Sequence, residues 1–175
     1  MSLRPTDKPR GCFEGWSIDL ITNLEPVSEE GYRHAVIAVD CFSKWVEIGP
    51  LRDKKATTLA SWFYNEIIAR FGKPRWVCVD AGREFMGAFT TLCSELGVFV
   101  RRGAGGYPRT NGQVERYNRE VKTAVRKYVA EHSGTAWMDW LPEIKMGLRM
   151  ARSRTHGYSP FTLVYKQEAV VPGRP

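Results

Sequence analysis

The run Ala35-Val36-Ile37-Ala38-Val39-Asp40 constrains the fold more than any other stretch of the chain. Its apolar residues are consecutive and include the β-branched Val36, Ile37 and Val39, so a strand here has no polar face to offer water. It must lie centrally in a sheet, with helices covering that sheet. Trp16-Ser17-Ile18-Asp19-Leu20-Ile21 precedes it as a β-prone segment ending at turn-prone Thr22-Asn23. Trp45 to Pro50 follows after only Cys41-Phe42-Ser43-Lys44, a connection short enough to make an antiparallel neighbour. Asp40 reads as a turn residue before Ser43. The first three strands form a meander.

Periodicity then changes. From Ala56 to Phe71 the apolar positions Leu59, Ala60, Phe63, Ile67 and Phe71 have helical spacing, with Thr57 or Thr58 as cap and Gly72-Lys73-Pro74 as the stop. Trp76 to Asp80 is a fourth strand reached through that helix, which makes it a crossover parallel to the first strand. Phe85 to Leu96 reads as a second helix ended by Gly97, Val98 to Val100 as a fifth strand, and Arg101 to Gly106 as a flexible basic loop. Helical segments follow at Asn111 to about Glu131, Trp137 to Arg152 and Pro160 to Tyr165. The fold class is α/β: a five-stranded mixed sheet flanked by helices, without internal repeats.

The helix beginning near Asn111 carries most of the chemistry. Thr110 followed by Gln113 has the spacing of a capping box. Val114, Tyr117, Val121, Ala124 or Val125, and Tyr128 form its apolar stripe, while Glu115, Arg119, Lys122 and Arg126 share another face. A solvated, salt-bridged surface is the ordinary reading of such charges. What departs from it is the single carboxylate heading a row of cations, because other carboxylates converge on the same region. Asp19 lies at the end of the first strand and Asp80 at the end of the fourth. If those strands are adjacent and parallel, both emerge at one sheet edge, where ligands gather in open α/β sheets. Glu115 can close the set. Two carboxylates about 4 Å apart repel by roughly 4 kcal/mol at an effective dielectric of 20, so three call for a cation. Hard Mg²⁺ or Mn²⁺ suits oxygen ligands and phosphodiester chemistry.

A net charge of +7 and a pI near 9.4 favour an anionic partner, of which nucleic acid is the commonest. No apolar run approaches the roughly 20 residues of a membrane-spanning helix, so no membrane partner is expected. Cys12, Cys41, Cys78 and Cys93 have neither zinc-site nor disulfide spacing, and reduced intracellular thiols are the expectation. Residues 1–12 read as a flexible leader, 13–170 as one domain and 171–175 as a tail, the whole being excised from a longer polypeptide.

Five ordered motifs resemble the catalytic core of retroviral and gypsy-type LTR-retrotransposon integrases: Trp16-Ser17-Ile18-Asp19, the block from Ala38 to Glu47, Arg70-Phe71-Gly72-Lys73-Pro74, Asp80-Ala81-Gly82-Arg83-Glu84-Phe85, and Asn111 to Arg119. Trp137 with Leu141-Pro142, then Tyr158 to Tyr165, is similar to the family's closing helices. The resemblance implies a ribonuclease H-like fold, a metal triad of Asp19, Asp80 and Glu115, and Mg²⁺ or Mn²⁺ as cofactor with no small-molecule cofactor. It implies DNA 3′-end processing and strand transfer, hence an intracellular, nuclear place of action. The family's DNA-gripping positions on this helix correspond to Arg119 and Lys122, and Arg109, Asn111 and Arg116 beside them complete the candidate DNA-binding set. Such cores dimerise, and Trp62, Phe63, Trp137 and Trp140 are candidates for a homodimer contact, although residues of this kind are more often core than interface. The zinc-binding segment and the small β-barrel that flank the core in the family are not found in this stretch.

Three departures stand out. The family's Asp-Asn-Gly is Asp80-Ala81-Gly82, its Tyr-His-Pro-Gln is Gly106-Tyr107-Pro108-Arg109, and Asp80 and Glu115 enclose 34 residues, one fewer than is customary. They define the alternative reading, a catalytically impaired domesticated copy that binds nucleic acid or protein. A ribonuclease H-like hydrolase is disfavoured, because the motifs are those of integrases.

Overall fold

The computed structural model describes residues 8–103, 108–132, 137–171 and 173. Five strands, β1 (Gly15–Ile21), β2 (His34–Asp40), β3 (Val46–Leu51), β4 (Trp76–Val79) and β5 (Phe99–Arg102), form one sheet in the order β3-β2-β1-β4-β5. The meander β1–β3 is antiparallel, and β4 adds parallel to β1, as does β5 to β4. Every residue of β2 is buried, as its unbroken apolar run requires.

Two apolar layers sandwich the sheet. On one side Trp16, Ile18 and Leu20 pack with Leu59, Phe63, Ile67 and Phe89. The helix supplying Leu59, Phe63 and Ile67 runs through α1 (Ala56–Trp62), a π-helical segment (Phe63–Ile68) and α2 (Ala69–Phe71); Phe89 belongs to α3 (Ala88–Glu95). On the other side Ile37, Val39 and Ile48 pack with Val121, Val125 and Val129 of α4 (Pro108–Glu131) and with Leu141 and Ile144 of α5 (Leu141–Met150). Strand alternation therefore sorts β1: Trp16, Ile18 and Leu20 face α1, whereas Ser17, Asp19 and Ile21 face α4. A last helix, α6 (Pro160–Tyr165), starts with Ser159 accepting from the Thr162 amide and lays Phe161 and Tyr165 against Trp45.

Asp40 serves the turn after β2. Its buried carboxylate accepts from the Phe13 and Ser43 amides and from Ser43 Oγ, and burial pushes its pKa up.

Several sequence expectations need correcting. Helix α4 begins at Pro108 rather than near Asn111, because proline's fixed φ and missing amide suit a first helical turn; Thr110, expected ahead of the helix, falls inside it, and its side chain lies outside the described ones. Neither Thr57 nor Thr58 caps α1. The N-cap position belongs to Lys55, which makes no side-chain cap bond, while Asp53 Oδ1 ahead of the helix takes the Lys55 amide at 3.0 Å and the Thr58 hydroxyl at 2.7 Å. Arg101 and Arg102 are the last residues of β5, not loop, and Arg102 Nη2 donates to Phe85 O and Thr90 Oγ1. The second helix is divided into a 3₁₀ turn at Arg83–Phe85 and α3, and Trp137–Trp140 is likewise a 3₁₀ turn ahead of α5. Phe63 and Trp137, named as dimer candidates, are fully buried within the chain, and Trp62 and Trp140 are half-buried. Most of the expected leader (1–7), the loop at 104–107 and residues 172, 174 and 175 of the tail lie outside the described residues.

Candidate active site

Three segments distant in sequence deliver the predicted carboxylates to one place. The parallel pairing of β1 with β4 sets Ser17 opposite Cys78, so Asp19 and Asp80 each stand two residues further along neighbouring chains, on the same face and at the same edge. Helix α4 crosses that face with Val114 buried, which turns Glu115 toward the edge. Asp19, Asp80 and Glu115 all line a cavity of about 160 Å³ whose walls include Ser17, Cys41, Cys78 and Asn118.

Each acid is held differently. Asp80 Oδ1 accepts the Gly82 amide at 2.7 Å, so the turn leaving β4 is closed by Asp80 itself and does not use the side chain at Ala81. Asp19 Oδ1 accepts the Leu20 amide at 2.8 Å, while its Oδ2 meets Lys122 Nζ at 2.6 Å. Glu115 is exposed. One helical turn beyond it, Asn118 is buried and donates from Nδ2 to Ser17 Oγ at 2.8 Å, clipping α4 to β1. Its Oδ1 is buried without a hydrogen-bond partner.

Burial favours the protonated form of both thiols in the cavity wall. Burial raises the Cys41 pKa well above its ordinary value, with Cys78 and Asp40 adding to it. Burial also raises Cys78, opposed by Arg101 and reinforced by Glu115. All four cysteines are free.

Does this cavity suit Mg²⁺ or Mn²⁺? In kind, the donor set does: three carboxylates from separate elements and a partnerless amide oxygen beside them are hard oxygen ligands with nothing soft competing in ionised form. Among the described residues, however, no three such side chains are drawn together closely enough to hold an ion. Asp19 is instead neutralised by the Lys122 ammonium.

The candidate DNA-gripping residues divide. Arg116 and Arg119 lie on a shallow groove of exposed α4 surface with Thr123 and Lys127, Arg116 pairing with Glu120 at 3.2 Å. Lys122 turns inward to Asp19 rather than joining that groove. Arg109 and Asn111 fall on the first turns of α4, and their side chains lie outside the described ones. Sequence reasoning passed over Ser17 and Asn118. The signal was present: Ser17 is two residues from Asp19 on a strand and Asn118 three from Glu115 on a helix, each therefore on the same face as a carboxylate.

Residues 10–108 match the family described as integrase core domain, a span that contains Asp19 and Asp80 and ends before Glu115. The chain is 32% identical over 159 residues to the Gag-Pol polyprotein of avian reticuloendotheliosis virus, and 33% identical over 153 residues to the Pol polyprotein of feline endogenous virus ECE1. These alignments cover 89% and 86% of the chain but only 14% of each polyprotein. In fold it is similar to the catalytic core domain of BIV integrase, with a TM-score of 0.68 at 21% identity over 88% of this chain and 95% of that one. It is similar too to the HTLV-2 integrase catalytic core solved in complex with magnesium in trimeric form, with a TM-score of 0.68 at 18% identity over 89% of this chain and 99% of that one. The sheet order and flanking helices described above are thus those of the ribonuclease H-like fold.

Proposed function

The chain belongs to the integrase core domain family as a retroviral-type catalytic core, and from that membership we propose that it cuts and joins DNA phosphodiesters at the cavity of Asp19, Asp80 and Glu115. The reaction is 3′-end processing followed by strand transfer, with water and then a DNA 3′-hydroxyl attacking phosphorus. One observation carries this reading above the rest: three carboxylates from β1, the β4 turn and α4 face a single cavity at the edge where both parallel strands end.

Asp19, Asp80 and Glu115 would hold Mg²⁺ or Mn²⁺, which when bound activates the attacking oxygen and stabilises the leaving one. The chain's own residues do the positioning. The Gly82 amide fixes Asp80, the Ser17–Asn118 clip fixes the turn of α4 behind Glu115, and Val114 closes the cavity floor. Arg116 and Arg119 on the outer face of α4 would take DNA phosphates, with Arg109 and Asn111 nearer the helix start and Lys122 beside Asp19. Such a core would act on DNA in the nucleus and as a homodimer.

The direct test is a strand-transfer or disintegration assay with Mn²⁺. Glu115→Gln should abolish product; a variant as active as wild type would refute the assignment. For DNA contact, Arg116→Ala with Arg119→Ala should weaken duplex binding and lower the slope of log K against log salt by about 2, close to one for each phosphate no longer neutralised. An unchanged slope would place the DNA on another face.

A further inference from the structure

Lys122 presents the one feature of the cavity that neither the carboxylates nor the DNA-gripping role requires. Its ammonium lies 2.6 Å from Asp19 Oδ2, and both side chains are 28% exposed. An ion pair this open to water adds little to folding, so stability is a poor reason for it. Its place is more telling. Asp19 shares its cavity with Asp80 and Glu115, and without a cation their like charges repel. Arg119 and Arg126, on the same broad face of α4, remain exposed, and Arg126 Nη2 spends its bond on Thr22 O. Among the described residues, Lys122 alone reaches a carboxylate of the cavity.

We propose that Lys122 is an internal counter-ion of Asp19, exchanged for the divalent cation, so that its ammonium becomes available to a DNA phosphate only once the metal is in place. This rests on the reading of the cavity as a metal site. The Asp19 carboxylate then has two alternative partners, and filling one vacates the other. Metal and DNA binding are coupled through a single side chain by linkage, without a change of fold. The stem of Lys122 is long enough for this: anchored three residues beyond Arg119 on α4, it reaches Asp19 of the cavity from the helix turn whose Arg119 lines the basic groove.

The test uses Mn²⁺ alone, followed by titration calorimetry on the whole chain without DNA. Wild type, Lys122→Met, which keeps the stem and loses the charge, and Lys122→Arg are compared. Removing the competing ammonium should tighten Mn²⁺ binding about fivefold in Lys122→Met, with Lys122→Arg staying near wild type. Equal Mn²⁺ affinity in wild type and Lys122→Met overturns the exchange while leaving the metal site standing. Absence of Mn²⁺ binding in wild type and both variants overturns the metal site and the exchange together. A second arm reads DNA affinity in chelator, by anisotropy of a labelled duplex, through the cycle of Asp19→Asn, Lys122→Met and the double variant. Asp19→Asn should strengthen binding several-fold more when Lys122 is present than when it is methionine. Additive effects would refute the release of Lys122 toward phosphate.

Discussion

Replacing Glu47 by glutamine tests the least expected piece of the fold, a buried charge cluster on the edge strand β3. The Glu47 side chain is 2% exposed and faces three cations: Arg149 Nη2 at 2.6 Å, Arg70 Nη1 at 3.2 Å and Lys145 Nζ at 3.7 Å. Trp45 Nε1 donates to it at 3.0 Å. Burial lowers the pKa of Lys145 and of Arg149, and Glu47 acts against that in both, so the cations depend on this carboxylate. Glutamine keeps the shape and one acceptor but leaves Arg149 and Lys145, 17% and 23% exposed, without their counter-charge. Removing one member of a buried pair costs about 3–5 kcal/mol. The lower end applies here, because Arg149 keeps its bond to Val46 O and its stacking on Trp45, and Arg70 keeps Glu66. About 3 kcal/mol corresponds to a fall of roughly 6–12 °C in Tm for a domain of this size. Urea unfolding and calorimetry read it, with Glu66→Gln on the exposed end of the cluster as the control, expected within about 0.5 kcal/mol of wild type. Adding Arg149→Met to Glu47→Gln should recover part of the loss. A Glu47→Gln change below about 1 kcal/mol would refute the dependence of these cations on the buried carboxylate.

Burial, with Lys54 and Arg33 nearby, holds the His34 pKa below its ordinary 6.5, and the ring accepts the Asn23 amide at Nδ1. A depressed folded pKa contributes stability that is complete above 6.5 and lost as pH falls through the folded value. The stability difference between wild type and His34→Asn, measured by urea midpoint from about pH 7.5 to 5, should therefore shrink below 6.5; a constant difference would contradict the assignment. A Cβ at Gly49 would collide with the indole of Trp62, so Gly49→Ala should cost about 1–3 kcal/mol through overpacking, and an unchanged Tm would mean that Trp62 gives way.

Strand identity was legible because burial on two faces leaves no polar alternation, as in Ala35 to Val39, and because a four-residue connection permits only an antiparallel neighbour. The α4 stripe was legible for the same kind of reason: Val114, Val121 and Val125 are all buried. What escaped depends on contacts between elements. Neither threonine caps α1, because the N-cap position falls on Lys55 and the Thr58 hydroxyl is spent on Asp53. Arg101 and Arg102 look like loop by composition, yet β4 offers them a parallel partner, and Arg101 stacks on Trp76 at 4.1 Å. Lys122 carries the same signature as Arg119 in sequence; in the fold one meets Asp19 and the other stays exposed. Glu47 belongs to a recognisable motif, but its three partners lie on the α2 and α5 elements, far along the chain, Arg149 being 102 positions away.

Where Glu115 stands is decided by the body of α4 rather than by the loop that precedes it. Val121, Val125 and Val129 are locked into the layer shared with β2 and β3, Val114 is buried at the cavity floor, and Asn118 is clipped to Ser17. Each anchor lies within α4, and those beyond Glu115 span about three turns. A helix held along that length transmits little of a change made ahead of its first turn. The Asp80 turn is similarly self-contained, closed by its own carboxylate on the Gly82 amide. The departure at Ala81 therefore falls at a side chain that the placement of Asp80 does not use. The three carboxylates keep their common edge through contacts within β1, the Asp80 turn and α4.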